Sequence, residues 1–126
     1  MAKEIVLLDT NILIEIQRGN QDIISKVYEF KQQNIFVTPI VIAEFHIGAR
    51  NKEELMRCKK LSSKFNILSL NETVVAVFTQ LFDDFALSHR PSVPDMLIAA
   101  TAVNYNIPLF TLNKKDFQFI SSLQLI

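Results

Sequence analysis

Four consecutive apolar residues, Ile5-Val6-Leu7-Leu8, run straight into Asp9. A strand with one wet face alternates apolar and polar side chains. An unbroken apolar run instead needs cover on both faces, as in a parallel sheet between two helix layers. Sheets of that kind keep their sites at the carboxyl ends of their strands. Asp9 falls at such an end.

The rest of the chain repeats the alternation. Helices are expected over Asn11–Arg18, residues 21–33, Pro39 to Arg50, residues 52–65, Glu72–Ser88 and Pro94–Asn106. Strands are expected over Ile35–Thr38, Asn66–Leu70, Pro108–Leu112 and Leu123–Ile126. Gly19 stops the first helix, Asn20 caps the second, and Pro94 at the first helical position opens the last. The expected class is therefore α/β: three layers, with a mostly parallel sheet of about five strands and helices on both faces. With 126 residues, only two Gly and no repeat or linker, the chain reads as a single domain, 1–126. Val74, Phe78, Leu81 and Phe85 form a broad apolar stripe on the 72–88 helix, a candidate surface for a homodimer.

Composition excludes several classes. Apolar residues make up 49%, enough for a real core, and 13 basic residues balance 13 acidic ones. A general polyanion-binding surface is not written in those totals, so any nucleic-acid contact needs a local patch or a bound cation. The single cysteine, Cys58, permits no internal disulfide. The apolar run at the start is too short for a signal peptide, and residues 35–49 are broken by Pro39, Glu44 and His46. The expected setting is the cytoplasm, with no membrane contact.

The acids carry the chemistry. Asp9 can serve as a helix cap or as a site residue. Glu44 lies mid-helix and shares a face with Ile40, Val41, Ile47 and Gly48, which is expected to be buried. An unpaired carboxylate there costs several kcal/mol unless a cation or a proton meets it. The plain alternative is a buried pair with Arg or Lys. Asp95 heads the stripe Ile98, Ala99, Ala102 and Val103, so it also points inward; a first-turn acid facing the helix dipole is its plain alternative. Asp116 follows the strand ending at Leu112 and can pair with Asn113 as a local cap. Converging carboxylates repel one another without a cation. Mg²⁺ or Mn²⁺ answers that need with oxygen ligands and retained waters, and can activate water for attack on phosphorus.

Among the basic residues, His46, Arg50, Arg90, Lys114 and Lys115 are candidates for RNA phosphate contacts. His46 and His89 lack the companions of a catalytic histidine. Lys52, Lys59, Lys60 and Lys64 read as a solvated helix face.

Four blocks, taken in order, resemble the PIN-domain family, and in particular its VapC-type toxins. They are Leu8-Asp9-Thr10-Asn11, then Ile42-Ala43-Glu44-Phe45-His46-Ile47-Gly48-Ala49, then Asp95-Met96-Leu97-Ile98-Ala99-Ala100-Thr101-Ala102, then Thr111-Leu112-Asn113-Lys114-Lys115-Asp116-Phe117. The resemblance covers nearly the whole chain. It implies a metal-dependent endoribonuclease with Asp9, Glu44 and Asp95 as metal-binding acids and Asp116 as the usual fourth, in a segment where members vary. It places Thr10 beside the metal and has Asn11 brace the loop, with Asn113 the alternative to Asp116. It also implies a homodimer and a small neutralising antitoxin.

Three other readings compete. A phospho-acceptor receiver domain shares the Asp at a strand end and the Thr111 and Lys114 after a strand, but needs a further acidic pair after the first strand. A haloacid-dehalogenase-like phosphatase needs a second Asp where Asn11 stands. A degenerate PIN domain that only binds a partner would not need Asp9, Glu44 and Asp95 together.

Overall fold

The computed structural model describes residues 4–126. Strand β1 is Val6–Leu8, fully buried, as the apolar run requires. Helices α1 (Thr10–Gln17) and α2 (Gln21–Val27) lead to β2 (Ile35–Val37). Helices α3 (Pro39–Ile47) and α4 (Lys52–Ser62) lead to β3 (Asn66–Ile67). Helices α5 (Glu72–Phe85) and α6 (Val93–Tyr105) lead to β4 (Leu109–Phe110).

All pairings are parallel, and the strand order is β3-β2-β1-β4. The chain moves outward from β1 through β2 to β3, then crosses back to the other side of β1. Crossovers in parallel sheets are right-handed, so reversing direction puts α5 and α6 on the face opposite α1–α4. Helix α1 packs with α2, α3 and α4, and α5 packs on α6; α3 and α6 also touch, which brings the helices of Glu44 and Asp95 together. The reversal leaves a crevice between the carboxyl ends of β1 and β4, where such folds bind ligands.

Several boundaries are shorter than expected. The fifth strand is reduced to a single parallel bridge, Leu125 to Leu109, with the Leu109 amide donating to the Gln124 carbonyl at 2.8 Å. The helix expected over 21–33 ends at Val27 and gives way to a 3-10 turn at Gln32–Asn34. The third strand stops at Ile67; the Leu68 amide makes the last ladder bond, to the Val37 carbonyl at 3.0 Å, and Leu68 and Leu70 pack against the core. Helices α3, α4 and α5 stop at Ile47, Ser62 and Phe85, short of Arg50, 65 and Ser88. Ser92, not Val93, caps α6, so Pro94 occupies the second helical position.

The apolar stripe of α5 is largely consumed inside the molecule. Val74 and Leu81 are buried, and Val77, Phe78, Phe82 and Phe85 pack against the core; Val75 stays 49% exposed. The broad free surface expected on this helix is therefore narrower than its sequence implies. No helix among the described residues is long and apolar enough to cross a membrane.

Candidate active site

The crevice between β1 and β4 is tied by one threonine. Thr111 follows β4 and is 1% exposed. Its hydroxyl donates to Oδ2 of Asp9 at 2.8 Å and accepts from the Asn113 amide at 3.0 Å. Asp9 is itself 5% exposed and caps α1, with Oδ1 accepting from the Thr10 amide at 2.8 Å. The two readings of Asp9 are thus compatible. One oxygen serves the helix, and the other faces the crevice.

Asn11 spans the same gap. Its amide donates, at 3.4 Å each, to Asp9 Oδ2 and Thr111 Oγ1, and its carbonyl oxygen accepts from the Leu112 amide at 3.2 Å. Thr10 reaches the other way. Its hydroxyl donates to Glu44 Oε1 at 2.7 Å, so α1 orients the acid of α3. Among the described residues, no arginine or lysine takes that place. Among the described residues, no ion pair reaches Asp9, Glu44, Asp95 or Asp116.

The face of α3 that carries Glu44 is not uniformly buried. Val41 is fully covered, but Ile47 is 86% exposed and Gly48 is open. Burial shifts toward Phe45 at the far end of the helix, leaving Glu44 half-buried at the margin of the core. Asp95 is also half-buried, in the first turn of α6, where its amide donates to the Ser92 hydroxyl at 3.1 Å. Asp116 sits exposed in a 3-10 turn, Lys114–Asp116. Asn113 starts that turn through its backbone carbonyl and makes no side-chain cap, contrary to the cap pair read from the sequence.

The four acids share one electrostatic field. Burial pushes the Asp9 carboxyl above its ordinary value of 3.8, and the charges of Asp95 and Glu44 add to the push; the Thr111 and Thr10 hydrogen bonds oppose it. Asp95 is raised in the same way, first by burial, then by Asp116 and Glu44, with Ser92 opposing. Among the described residues, no three His, Cys, Asp or Glu side chains stand close enough together to hold a metal ion as they lie. Mg²⁺ dehydrates reluctantly and is commonly held by one or two carboxylates plus waters. The donors are hard oxygens without sulfur or imidazole, so the residues fit such an ion.

The raised values carry a sign. An acid whose folded pKa lies above its unfolded one binds its proton more tightly when folded. Its contribution to stability is therefore lost as pH rises from the ordinary value through the folded one. In chelator, Asp95→Asn is expected to melt at or above wild type near pH 7.5 and to lose that advantage near pH 4. Thermal scans across this range check it. A variant that melts well below wild type at neutral pH shows Asp95 to be mainly a helix-start residue.

The basic candidates divide. His46 points to α4, with Nε2 at 2.8 Å from Ser62 Oγ. Arg50 pairs with Glu54, its NH2 at 2.8 Å from Oε1. Both are engaged away from the acids. Arg90 and Lys115 line a pocket with Asp95 and Asp116, whereas Lys114 is exposed beside it. Thr111 is the residue that sequence reasoning passed over. Its place directly after a buried strand, matching Asp9, was the available sign.

Comparison with known proteins bears on the family and the fold. Residues 6–121 match the PIN domain family. Ribonuclease VapC of Rickettsia bellii is 34% identical over 129 residues, covering 96% of this chain and 94% of the relative. A chain of the VapBC-1 structure from nontypeable Haemophilus influenzae superposes with a TM-score of 0.81 at 29% identity, covering 97% of this chain and 96% of that one. A toxin–antitoxin complex from Klebsiella pneumoniae gives a TM-score of 0.80 at 26% identity, covering 96% and 95%. With a match over all but its termini, the chain belongs to the PIN domain family.

Proposed function

We propose that this protein is a Mg²⁺- or Mn²⁺-dependent endoribonuclease, the toxin of a type II toxin–antitoxin pair. One observation carries the catalytic part. Buried Asp9 and half-buried Asp95 are both driven toward holding protons by burial and by neighbouring acids, with no ion-paired cation among the described residues. Such a site asks for positive charge. The names of the relatives, Ribonuclease VapC and VapBC, support the substrate class and the toxin role.

In this reading Asp9, Glu44 and Asp95 hold the ion, and Asp116 acts on it from further out. A divalent ion there supplies an activated water and steadies the charge on the leaving oxygen. Thr10 fixes the rotamer of Glu44, and Thr111 with Asn11 fixes that of Asp9. Arg90 and Lys115, which line the pocket of Asp95 and Asp116, and the adjacent Lys114 would take RNA phosphates. The partners are an RNA substrate, a small antitoxin that covers the acids, and a second copy of the chain, in the cytoplasm.

The test is cleavage of single-stranded RNA by purified protein, with excess EDTA and after adding back Mg²⁺ or Mn²⁺. Metal-restored cleavage leaving 5′-phosphate and 3′-hydroxyl ends is expected. Cleavage that persists in EDTA, or a 2′,3′-cyclic phosphate, contradicts the mechanism. Labelling by acetyl phosphate would favour the receiver reading instead.

The same assay ranks the last segment. Asp116→Ala is expected to lower activity by ~10–100-fold, as outer partners of metal sites do. Asn113→Ala is expected to lower it less, because a neutral oxygen is the weaker partner for a hard cation. Wild-type rates in Asp116→Ala over a full Mg²⁺ titration would reduce the site to three acids.

A further inference from the structure

A second feature adjoins the acids and has no role in holding an ion. His89 stacks on Phe119, with ring centroids 4.2 Å apart and planes 18° from parallel. Phe85 meets both edge-on, 5.5 Å from His89 and 4.9 Å from Phe119. These three distances form a compact triangle, so Phe85 flanks the stack and does not cap it. The outer face of the His89 ring is covered by neither phenylalanine. His89 is exposed, and Ser88 Oγ holds its Nδ1 at 2.8 Å, which restrains the ring's rotation.

This stack opens on the pocket that contains Asp95 and Asp116, with Arg90 and Lys115 on the same wall. The pocket measures about 270 Å³, below the ~300–1,000 Å³ that drug-sized ligands fill. Arg90 takes φ 45, a left-handed conformation uncommon for a side chain of its size. An exposed flat ring whose outer face neither phenylalanine covers, two cations and a small open pocket, all beside the acids, match one nucleotide of a single strand. The base finds a π-surface and the phosphates find positive charge. Stacking platforms joined to basic grooves are how single strands are held without reading sequence.

We propose that the His89–Phe119 stack is a base-binding subsite for a nucleotide next to the scissile phosphate, with Arg90 and Lys115 holding its phosphates. The proposal rests on the ribonuclease reading above and adds the position and chemistry of substrate capture. Single-stranded or looped RNA is favoured over duplex, because a paired base has no free face to offer. Tolerance of base identity follows, since every base has a π-face.

The experiment uses the full chain and a short single-stranded RNA that it cleaves in Mn²⁺. An abasic residue is placed at each position in turn. For wild type, one position beside the cut is expected to raise KM by ~10-fold, the range of one lost stack. His89→Ala is expected to raise KM for the intact RNA by a similar factor with kcat little changed, and to lose sensitivity to that one abasic position. His89→Phe, which keeps the flat ring, is expected to restore both. Independent, multiplying effects of His89→Ala and the abasic residue overturn the proposal, as does failure of His89→Phe to rescue. If His89→Ala alters only the assembly of the protein or its binding to the antitoxin, the stack is a protein contact and the proposal falls. Absence of any cleavage by wild type strikes the ribonuclease reading itself. The subsite is then read separately, by quenching of a 2-aminopurine base in the bound RNA: quenching in wild type that His89→Ala abolishes upholds it, and no difference overturns it.

Discussion

Asp9→Ala is expected to abolish metal-dependent RNA cleavage, with a loss greater than the ~100-fold upper range typical of outer partners at metal sites. Asp9 stands at the centre of the crevice between β1 and β4, and its charge couples to both Glu44 and Asp95. The variant also loses the cap on α1, where Oδ1 accepts from the Thr10 amide, at ~0.5–2 kcal/mol of stability. Asp9→Asn separates the two effects. An asparagine oxygen can keep the cap while removing the charge. If both variants lose cleavage while only Asp9→Ala loses the cap's stability, the carboxylate has a role beyond starting the helix. Activity within a few-fold of wild type in Asp9→Asn would leave Asp9 a cap and nothing more.

Thr111→Val is the second large effect expected. The substitution nearly preserves shape but removes a hydroxyl that donates to Asp9 and accepts from the Asn113 amide. Asp9 Oδ2 then keeps only the long contact from Asn11 at 3.4 Å. A buried carboxylate with one fewer donor is raised further toward its protonated form, so competition between metal and proton moves to higher pH. A loss of ~10–100-fold in activity or metal affinity is expected, partly recovered as pH rises. Thr111→Ser, which keeps the hydroxyl, should stay near wild type. Equal losses in the Val and Ser variants would point to packing beside Phe110, not to the hydrogen bond.

How much of this was legible in the sequence differs from element to element. The strand Val6–Leu8 and its terminal Asp9 were readable because continuous burial demands an unbroken apolar run, and nothing else in the chain explains one. Glu44 and Asp95 were readable because helical spacing aligns them with apolar neighbours. The face of α3 was misjudged at Ile47, since spacing tells which residues share a stripe and not where the stripe leaves the core. Residues 69 and 70 look like strand but follow the last ladder bond, made by the Leu68 amide to Val37, because only partners across the sheet decide where pairing stops. Thr111 was missed for a different reason. A threonine after a strand suits many jobs, and its pairing with Asp9 spans 102 residues. The His89–Phe119 stack joins residues from separate loops without shared periodicity, so only the fold brings them together.

Binding of Mn²⁺ to metal-free protein, followed by electron paramagnetic resonance without RNA, tests the central claim most directly. Wild type is expected to take up the ion near neutral pH. Asp9→Asn, Glu44→Gln and Asp95→Asn should each weaken it, while Glu29→Gln, an exposed residue that precedes β2 at the amino end of the sheet, should leave it unchanged. No uptake by wild type at millimolar Mn²⁺, or uptake indifferent to all three site variants, would contradict the account.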